Sequence, residues 1–222
     1  IHYVDRLLAQ LPYGTPAVAV SPHYLGLPQV CESPLYGGPV AGIAAGAQAL
    51  SHCTELALFA VDAPDSPLLL PRLRSTLASS TADAVLTRAA DGYLQPLCSL
   101  WHAPALHTQL ESLPTARNVS VRRLIRGANF IEIPGTGSER DYDTRAELRE
   151  LPAFTAHTGL RAHRKAALGC RAGDGARADC GRADRLRGVV RDVLAAGGRS
   201  RHPRRRRDRA ARLRRADPPL PR

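Results

Sequence analysis

Residues 56–67, LALFAVDAPDSP, contain the clearest strand pattern of the chain together with the acid that follows it. The apolar run 56–61 is too short for a helix and is typical of a strand buried within a sheet. Asp62 comes directly after this run, and Pro64 and Pro67, which follow it, restrict the backbone of the segment. An aspartate at a strand end can hold Mg²⁺, which prefers one or two carboxylates together with phosphate oxygens. It can equally cap the helix that is predicted to begin near Ser66 or Pro67.

Strand and helix patterns alternate on both sides of this segment. Residues 17–21 form another apolar run between prolines, and we predict a strand buried on both faces. Helical spacing precedes this run at 2–11 and resumes at Pro39, which follows two glycines as a first helical residue does. Later in the chain we predict helices over 68–77, 103–112 and 120–126 and strands over 84–87, 94–101 and 130–133. This alternation predicts an α/β sandwich with a mostly parallel sheet, in which ligands bind at the carboxyl ends of the strands.

The stretch 35–42, LYGGPVAG, surrounds the predicted start of the helix at Pro39. Gly37, Gly38 and Gly42 allow the backbone to approach a ligand closely, and a helix N-terminus favours negative charge. The spacing matches neither of the usual phosphate-binding glycine motifs. A plain turn before a tightly packed, alanine-rich helix therefore explains it as well as a nucleotide cradle does.

Residues 141–148, DYDTRAEL, carry two carboxylates just before a predicted helix. Asp141 and Asp143 point to the same side if the segment is extended, and Thr144 and Glu147 have capping-box spacing. The paired acids can complete a metal site with Asp62. Alternatively, they only complement the positive end of the helix dipole.

Length and composition exclude several classes of protein. A chain of 222 residues with 44% hydrophobic residues can bury a full-sized core, which excludes collagen-like and wholly disordered chains. No apolar run approaches the roughly 18 residues of a membrane span, and no secretory signal is visible, so we expect a cytoplasmic protein. The five cysteines are scattered without C-x-x-C spacing, which predicts free thiols rather than disulfides or a zinc site.

The positive charge of the chain lies in its last part. Residues 1–160 hold 11 Arg against 14 acids, a net charge of −3, whereas residues 161–222 hold 20 basic residues against 6 acids, a net charge of +14. We predict that 153–222 is a disordered, Arg-rich tail with one amphipathic helix over 185–196. Such a tail can contact nucleic-acid phosphates, can simply be solvated, or can be the translation of GC-rich DNA in a shifted frame. We do not expect nucleic acid to be the biological partner.

The body, residues 1–152, resembles the molybdenum cofactor guanylyltransferase family of nucleotidyltransferases. The residues that carry the resemblance are Glu32, GPVAGI at 38–43, AVDAP at 60–64, LQPL at 94–97, SVRRLI at 120–125 and DYDTRAEL at 141–148. The resemblance implies a Rossmann-like nucleotidyltransferase fold. It also implies transfer of GMP from GTP to the phosphate of a molybdopterin-type acceptor, with Mg²⁺ as cofactor and pyrophosphate as the second product.

The resemblance further implies roles for individual residues. Asp62 corresponds to the magnesium-binding, catalytic aspartate, and Asp143 to a late position of the metal or substrate site. Four further residues correspond to the nucleotide pocket: Glu32, Gly38, Gly42 and Ser21. Arg122 and Arg123 either meet the acceptor phosphate or belong to an exposed helix face. With an ordinary aspartate pKa of about 3.9, both metal-site carboxylates are expected to be ionised at neutral pH.

The family pattern begins with a strand and a glycine-rich loop, followed by an arginine and a lysine, that hold the triphosphate. Residues 1–160 contain no lysine and no such loop, and the sequence has no methionine. We therefore expect either an N-terminally cut fragment of an active enzyme or a degenerate copy. The sequence leaves open CTP in place of GTP, another small acceptor and the oligomeric state. A competing hypothesis is a non-catalytic protein that binds polyanions through its basic tail.

Overall fold

The computed structural model describes residues 3–149 and residue 151, so the predicted tail over 153–222, with its helix over 185–196, lies outside the described residues. Helices and strands alternate through the described part. In chain order they are α1 Tyr3–Ala9, β1 Ala19–Val20, β2 Gln29–Val30, α2 Pro39–Ala49, β3 Glu55–Phe59, a 3₁₀ helix Ser66–Leu69, α3 Leu70–Ala78, β4 Ala84–Arg88, β5 Leu94–His102, α4 Ala103–Glu111, α5 Val121–Ile125, β6 Phe130–Pro134 and α6 Arg145–Leu148.

The larger sheet has the strand order β3-β5-β4-β6. β5 is antiparallel to both of its neighbours, while β4 and β6 are parallel, so β3, β4 and β6 all run in one direction. The predicted α/β fold with a mostly parallel sheet is therefore confirmed, with β5 as the reversed strand. Asp91 and Gly92 form the predicted turn between β4 and β5, where the Ala89 N–H donates to the Tyr93 carbonyl oxygen at 2.9 Å.

Apolar residues on the two faces of this sheet build two separate cores, because successive strand side chains point to opposite faces. Leu86 and Trp101 lie on one face, in a buried cluster with residues of α2, α4 and α5. Val85 and Leu100 lie on the other face, against Leu73 and its neighbours in α3. The sheet is consequently covered by helices on both sides, as expected for an α/β sandwich.

The strand directions bring three loops to one edge of the larger sheet, here called the carboxyl edge. Strands β3, β4 and β6 all end there, so the loop beginning at Ala60, the turn at Asp91 and the loop 135–144 lie along it. The opposite edge carries Glu55 and Asp83, at the starts of β3 and β4. Ligand binding by this fold is expected at the carboxyl edge.

The smaller sheet is a parallel pair made of β1 and β2. The predicted strand over 17–21 is shortened to Ala19 and Val20, and the expectation that it is buried on both faces is wrong, because both residues are half-buried. We did not predict β2, because two residues, Gln29 and Val30, are too few to show a period. Within the described part of the chain, no helix is long and apolar enough to cross a membrane.

Candidate functional site

Asp62 lies in the loop that leaves β3 at the carboxyl edge, and it is only 5% exposed. The loop is fixed by short-range contacts: the Ala63 N–H donates to the Ala60 carbonyl at 3.2 Å, and the Ser66 hydroxyl donates to the Ala63 carbonyl at 2.7 Å. Asp62 does not cap the following helix, since the residue at the cap position is Asp65, whose side chain makes no capping hydrogen bond. The capping alternative for Asp62 is therefore wrong.

The structure brings the segment 141–143 against the Asp62 loop. The Tyr142 N–H donates to the Asp62 carbonyl oxygen at 2.9 Å, which links the two acidic segments through their backbones. Asp141 and Asp143 flank this contact and are exposed. The capping box that follows is formed as predicted, with the Thr144 hydroxyl accepting from the Glu147 N–H at 3.2 Å.

The electrostatics of Asp62 reflect this arrangement. Burial raises the pKa of Asp62 to about 6, and repulsion from Asp141 and, less strongly, from Asp143 adds to the shift. Asp62 is therefore still largely ionised at pH 7, as expected, but by a smaller margin than an ordinary aspartate. Asp141 and Asp143 flank the Tyr142–Asp62 hydrogen bond and both act on Asp62 electrostatically, so both are candidates for the second carboxylate of the site. The i, i+2 spacing already indicated Asp141, whereas the family resemblance indicated only Asp143.

The acids at this edge suit a cation that is only partly held by protein. Within the described residues, no group of three or more His, Cys, Asp or Glu side chains could hold a metal ion by itself. Mg²⁺ is commonly bound by one or two carboxylates, with waters and substrate phosphates supplying the remaining oxygens. Asp62, together with a carboxylate from 141–143, provides this kind of donor set, and a bound cation would offset both the burial and the repulsion that raise the pKa of Asp62.

The predicted glycine turn before α2 is present and is held from two sides. Gly38 has a φ of 86°, a conformation that favours glycine, and it occupies the cap position before Pro39. The Gly37 N–H donates to Glu32 Oε1 at 3.2 Å. From the other side, the Asn118 N–H donates to the Gly37 carbonyl at 2.6 Å. Glu32 thus supports the turn directly through its carboxylate.

Arg117 also contacts the segment before this turn, and no motif in the sequence indicates this contact. Its Nη1 donates to the carbonyl oxygens of Pro34 and Leu35, at 3.3 and 3.4 Å. These partners lie more than 80 residues away in the chain, so no local spacing could reveal them. Arg117 therefore places a cation beside the glycine turn.

In the structure, Ser21 makes a hydrogen bond within its own loop, and Gly42 allows close packing of a helix on a strand. The Ser21 hydroxyl is tied to its own loop, accepting from the His23 N–H at 3.1 Å. A Cβ added to Gly42 would lie 3.2 Å from Val20 Cγ1, so this glycine lets α2 pack closely on β1. Arg122 and Arg123 lie on the exposed face of α5, where Ser120 caps the helix. The nucleotide roles predicted for Ser21 and Gly42, and the contact with the acceptor phosphate predicted for Arg122 and Arg123, stay predictions.

An α/β sandwich with a glycine turn opening one helix and acids beyond the strand ends is typical of enzymes that bind nucleotides. The family model for the MobA-like NTP transferase domain matches residues 2–132. The chain therefore belongs to the MobA-like NTP transferase family and is a nucleotidyltransferase, which confirms the family resemblance of its motifs.

One solved structure that matches the chain is molybdopterin-guanine dinucleotide biosynthesis protein A from Archaeoglobus fulgidus. It is 17% identical over 75% of this chain and 86% of that chain, with a TM-score of 0.48. No curated protein matches the chain significantly.

Proposed function

We propose that this protein transfers GMP from GTP to the phosphate of a molybdopterin-type acceptor and releases pyrophosphate. The observation that carries the proposal is the buried Asp62 at the carboxyl edge, linked to the acids of segment 141–143 by the Tyr142–Asp62 hydrogen bond. Membership of the MobA-like family supports nucleotidyl transfer as the reaction class. The motif resemblance supports guanosine triphosphate and a molybdopterin-type acceptor as the substrates.

The reaction forms one bond to phosphorus and breaks another. An oxygen of the acceptor phosphate attacks the α-phosphorus of GTP, and the bond from the α-phosphorus to the oxygen bridging to the β-phosphate breaks. Pyrophosphate leaves with that bridging oxygen and the electron pair of the broken bond. Such a reaction asks little covalent chemistry of the protein, so its residues act by positioning the reactants and balancing charge.

In this scheme, Asp62 and a carboxylate from segment 141–143 hold Mg²⁺. When bound, the ion supplies positive charge to the phosphate oxygens. The glycine turn at Gly37 and Gly38 lets the nucleotide approach the backbone, and the N-terminus of α2 favours its negative charge. Arg117, beside the same turn, adds a cation to this part of the site.

The direct test measures pyrophosphate release by the full 222-residue chain with Mg²⁺, a phosphorylated pterin acceptor and either GTP or CTP. We expect release with GTP, loss of release in EDTA and recovery on adding excess Mg²⁺. Asp62→Asn should reduce release to background because the neutral amide is a poor ligand for a hard cation. Release with CTP and not with GTP would mean that the protein transfers CMP instead of GMP, by the same class of reaction.

Asp83→Asn is the matched control for this test. Asp83 lies at the opposite edge of the sheet, and its Oδ2 accepts from the Asn129 N–H at 2.8 Å, a role that an asparagine oxygen can keep. We expect its activity to equal that of the unmodified protein. Full activity in a folded Asp62→Asn variant would refute the proposed site.

A further inference from the structure

Helix α1 contacts both acidic segments of the site. Arg6 forms a two-pronged ion pair with Asp65, with Nε to Oδ1 at 2.6 Å and Nη2 to Oδ2 at 2.8 Å. Gln10, just after the helix, donates from Nε2 to the same Oδ1 at 2.5 Å and to the Pro64 carbonyl at 3.3 Å. The segment 62–65 is thus bonded to side chains that lie 54 to 59 residues earlier in the chain.

The same helix also holds the second acidic segment. The Tyr3 hydroxyl donates to the Tyr142 carbonyl oxygen at 2.8 Å, a contact across 139 residues. Because the Tyr142 N–H donates to the Asp62 carbonyl, the three parts form a closed ring: α1, the segment 62–65 and the segment 141–143. Burial and the nearby acids raise the pKa of Tyr3 to about 12, so its hydroxyl remains a donor at any working pH.

The ion pair in this ring is largely hidden from solvent, with 11% of the Arg6 side chain and 15% of the Asp65 side chain exposed. Ion pairs removed from water contribute little net stability, because desolvation offsets most of the attraction. A guanidinium and a carboxylate in a two-pronged contact do, however, define their relative orientation closely. Leu7 and Leu8 are buried, so α1 is itself packed against the body of the protein.

We propose that α1 is a brace for the candidate cation site and that Arg6 and Tyr3 are positioning residues, which set the separation of Asp62 from the acids of segment 141–143. The proposal rests on the proposed function, since it concerns the same acids. Mg²⁺ demands near-ideal octahedral geometry with oxygens at about 2.0–2.1 Å, so a shift between two carboxylate-bearing loops weakens its binding. Neither Arg6 nor Tyr3 contacts the cation in this scheme.

The test titrates the full chain with Mn²⁺ as the probe and follows free Mn²⁺ by electron paramagnetic resonance, without substrates. Arg6→Gln removes the two-pronged ion pair, and we expect it to weaken Mn²⁺ binding about tenfold, as for other residues that orient metal ligands. Tyr3→Phe removes a single hydroxyl and keeps the ring, so it should fold like the parent protein. We expect it to weaken binding by a smaller factor, about threefold.

Arg74→Gln is the matched control, because it removes the ion pair between Arg74 Nε and Glu55 Oε2, 3.0 Å long, at the other end of β3. It should leave Mn²⁺ binding unchanged. Thermal unfolding of each variant shows whether the protein is folded. A purely structural role of Arg6 would lower the melting temperature while leaving the Mn²⁺ affinity of the folded protein unchanged.

The outcomes separate the brace from the cation site itself. Asp62→Asn should abolish the Mn²⁺ binding that the unmodified chain shows. If it does, and Tyr3→Phe and folded Arg6→Gln bind Mn²⁺ as tightly as the unmodified chain, the brace is refuted and the cation site stands. If Asp62→Asn and the unmodified chain bind Mn²⁺ equally or not at all, the brace is refuted, and the pyrophosphate-release assay, in which substrate phosphates are present, decides the proposed function separately. Should Arg6→Gln fail to fold, Tyr3→Phe decides the question alone.

Discussion

At the scale of single residues, the burial of Asp62 lowers the free energy of unfolding of the metal-free protein once this carboxyl is ionised. Burial raises the pKa of its carboxyl to about 6 in the folded protein, from an ordinary value of 3.8. The folded state therefore binds this proton more tightly than the unfolded state does. Linkage then requires the free energy of unfolding to fall as the pH rises between these two values, and the loss is complete above about pH 6.

Asp62→Asn should consequently stabilise the metal-free protein at alkaline pH. We expect a melting temperature a few degrees above that of the unmodified chain at pH 8 in EDTA, because asparagine has no charge to bury. At pH 4 the difference should largely disappear, since the aspartate is then mostly protonated in the folded state. Calorimetry at both pH values measures this, and a difference of equal size at pH 4 and pH 8 would contradict it.

Cys98 gives a second prediction at this scale. Three cysteines within the described residues are free thiols, which agrees with the scattered spacing in the sequence. Cys98 is 2% exposed, and burial raises the pKa of its thiol to about 11, although a hydrogen bond from Thr87 acts in the opposite direction. Only the thiolate reacts readily with alkylating reagents.

We therefore expect iodoacetamide at pH 8 to label Cys31 and Cys53, which are half-buried, well before Cys98. In denaturant all three should react at similar rates. Peptide mass spectrometry with and without denaturant measures the order of labelling. Labelling of Cys98 as fast as Cys53 in the native protein would show that the sheet around Cys98 opens readily.

At the scale of elements, the contact between α2 and β1 depends on two glycines. A Cβ added to Gly42 or Gly46 would approach the Val20 side chain to 3.2 or 3.3 Å, which is tighter than an ordinary contact. An alanine at either position requires Val20 to yield by a few tenths of an ångström. A larger, branched residue requires the helix to move away from the strand, which costs packing.

Gly42→Val should therefore lower the free energy of unfolding by about 2 kcal/mol, in the range typical of overpacked sites. Gly42→Ala should change the free energy of unfolding much less, because the higher helix propensity of alanine offsets the single tight contact that its Cβ makes. Urea denaturation measures both variants, with Ala49→Val at an exposed position of α2 as a control for the lower helix propensity of valine. Equal stability of Gly42→Val and Ala49→Val would contradict the close packing.

At the scale of the whole molecule, the described part of the chain contains two apolar cores, one on each face of the larger sheet. The two buried clusters draw on residues between Val40 and Ile133, and Leu11, which follows α1, packs against the second cluster. The net charge of +14 lies in residues 161–222, whereas the body is mildly acidic. We propose that the chain divides at residue 152 into a nucleotidyltransferase domain and a basic tail.

A chain ending at residue 152 should accordingly keep the melting temperature of the full chain within about 2 °C, because it keeps the residues of both cores. It should also lose the salt-dependent retention on heparin that a strongly basic tail confers. Calorimetry and heparin chromatography of the two chains measure this. A large drop in melting temperature would show that the tail packs against the body, and unchanged heparin binding would place the polyanion contacts on the body instead.

Much of this fold was predictable because its signals are local. Apolar periodicity, Pro39 after two glycines, the Asp91–Gly92 turn and the Thr144–Glu147 capping box each involve residues close together in the chain, and each corresponds to the predicted element. The exceptions lie in the smaller sheet: β2 has too few residues for a period to appear, and β1 is shorter and less buried than predicted.

For the candidate site, the sequence alone indicates the acids and the glycine turn, because strand ends and helix starts can be recognised from neighbouring residues. The tertiary structure decides how they are arranged: Tyr142 bonds to Asp62, Asn118 to Gly37, and α1 holds both acidic segments. It also decides that Asp141 perturbs Asp62 more than Asp143 does, and that Gly42 faces Val20. These facts depend on contacts between residues far apart in the chain, and such contacts leave no local pattern in the sequence.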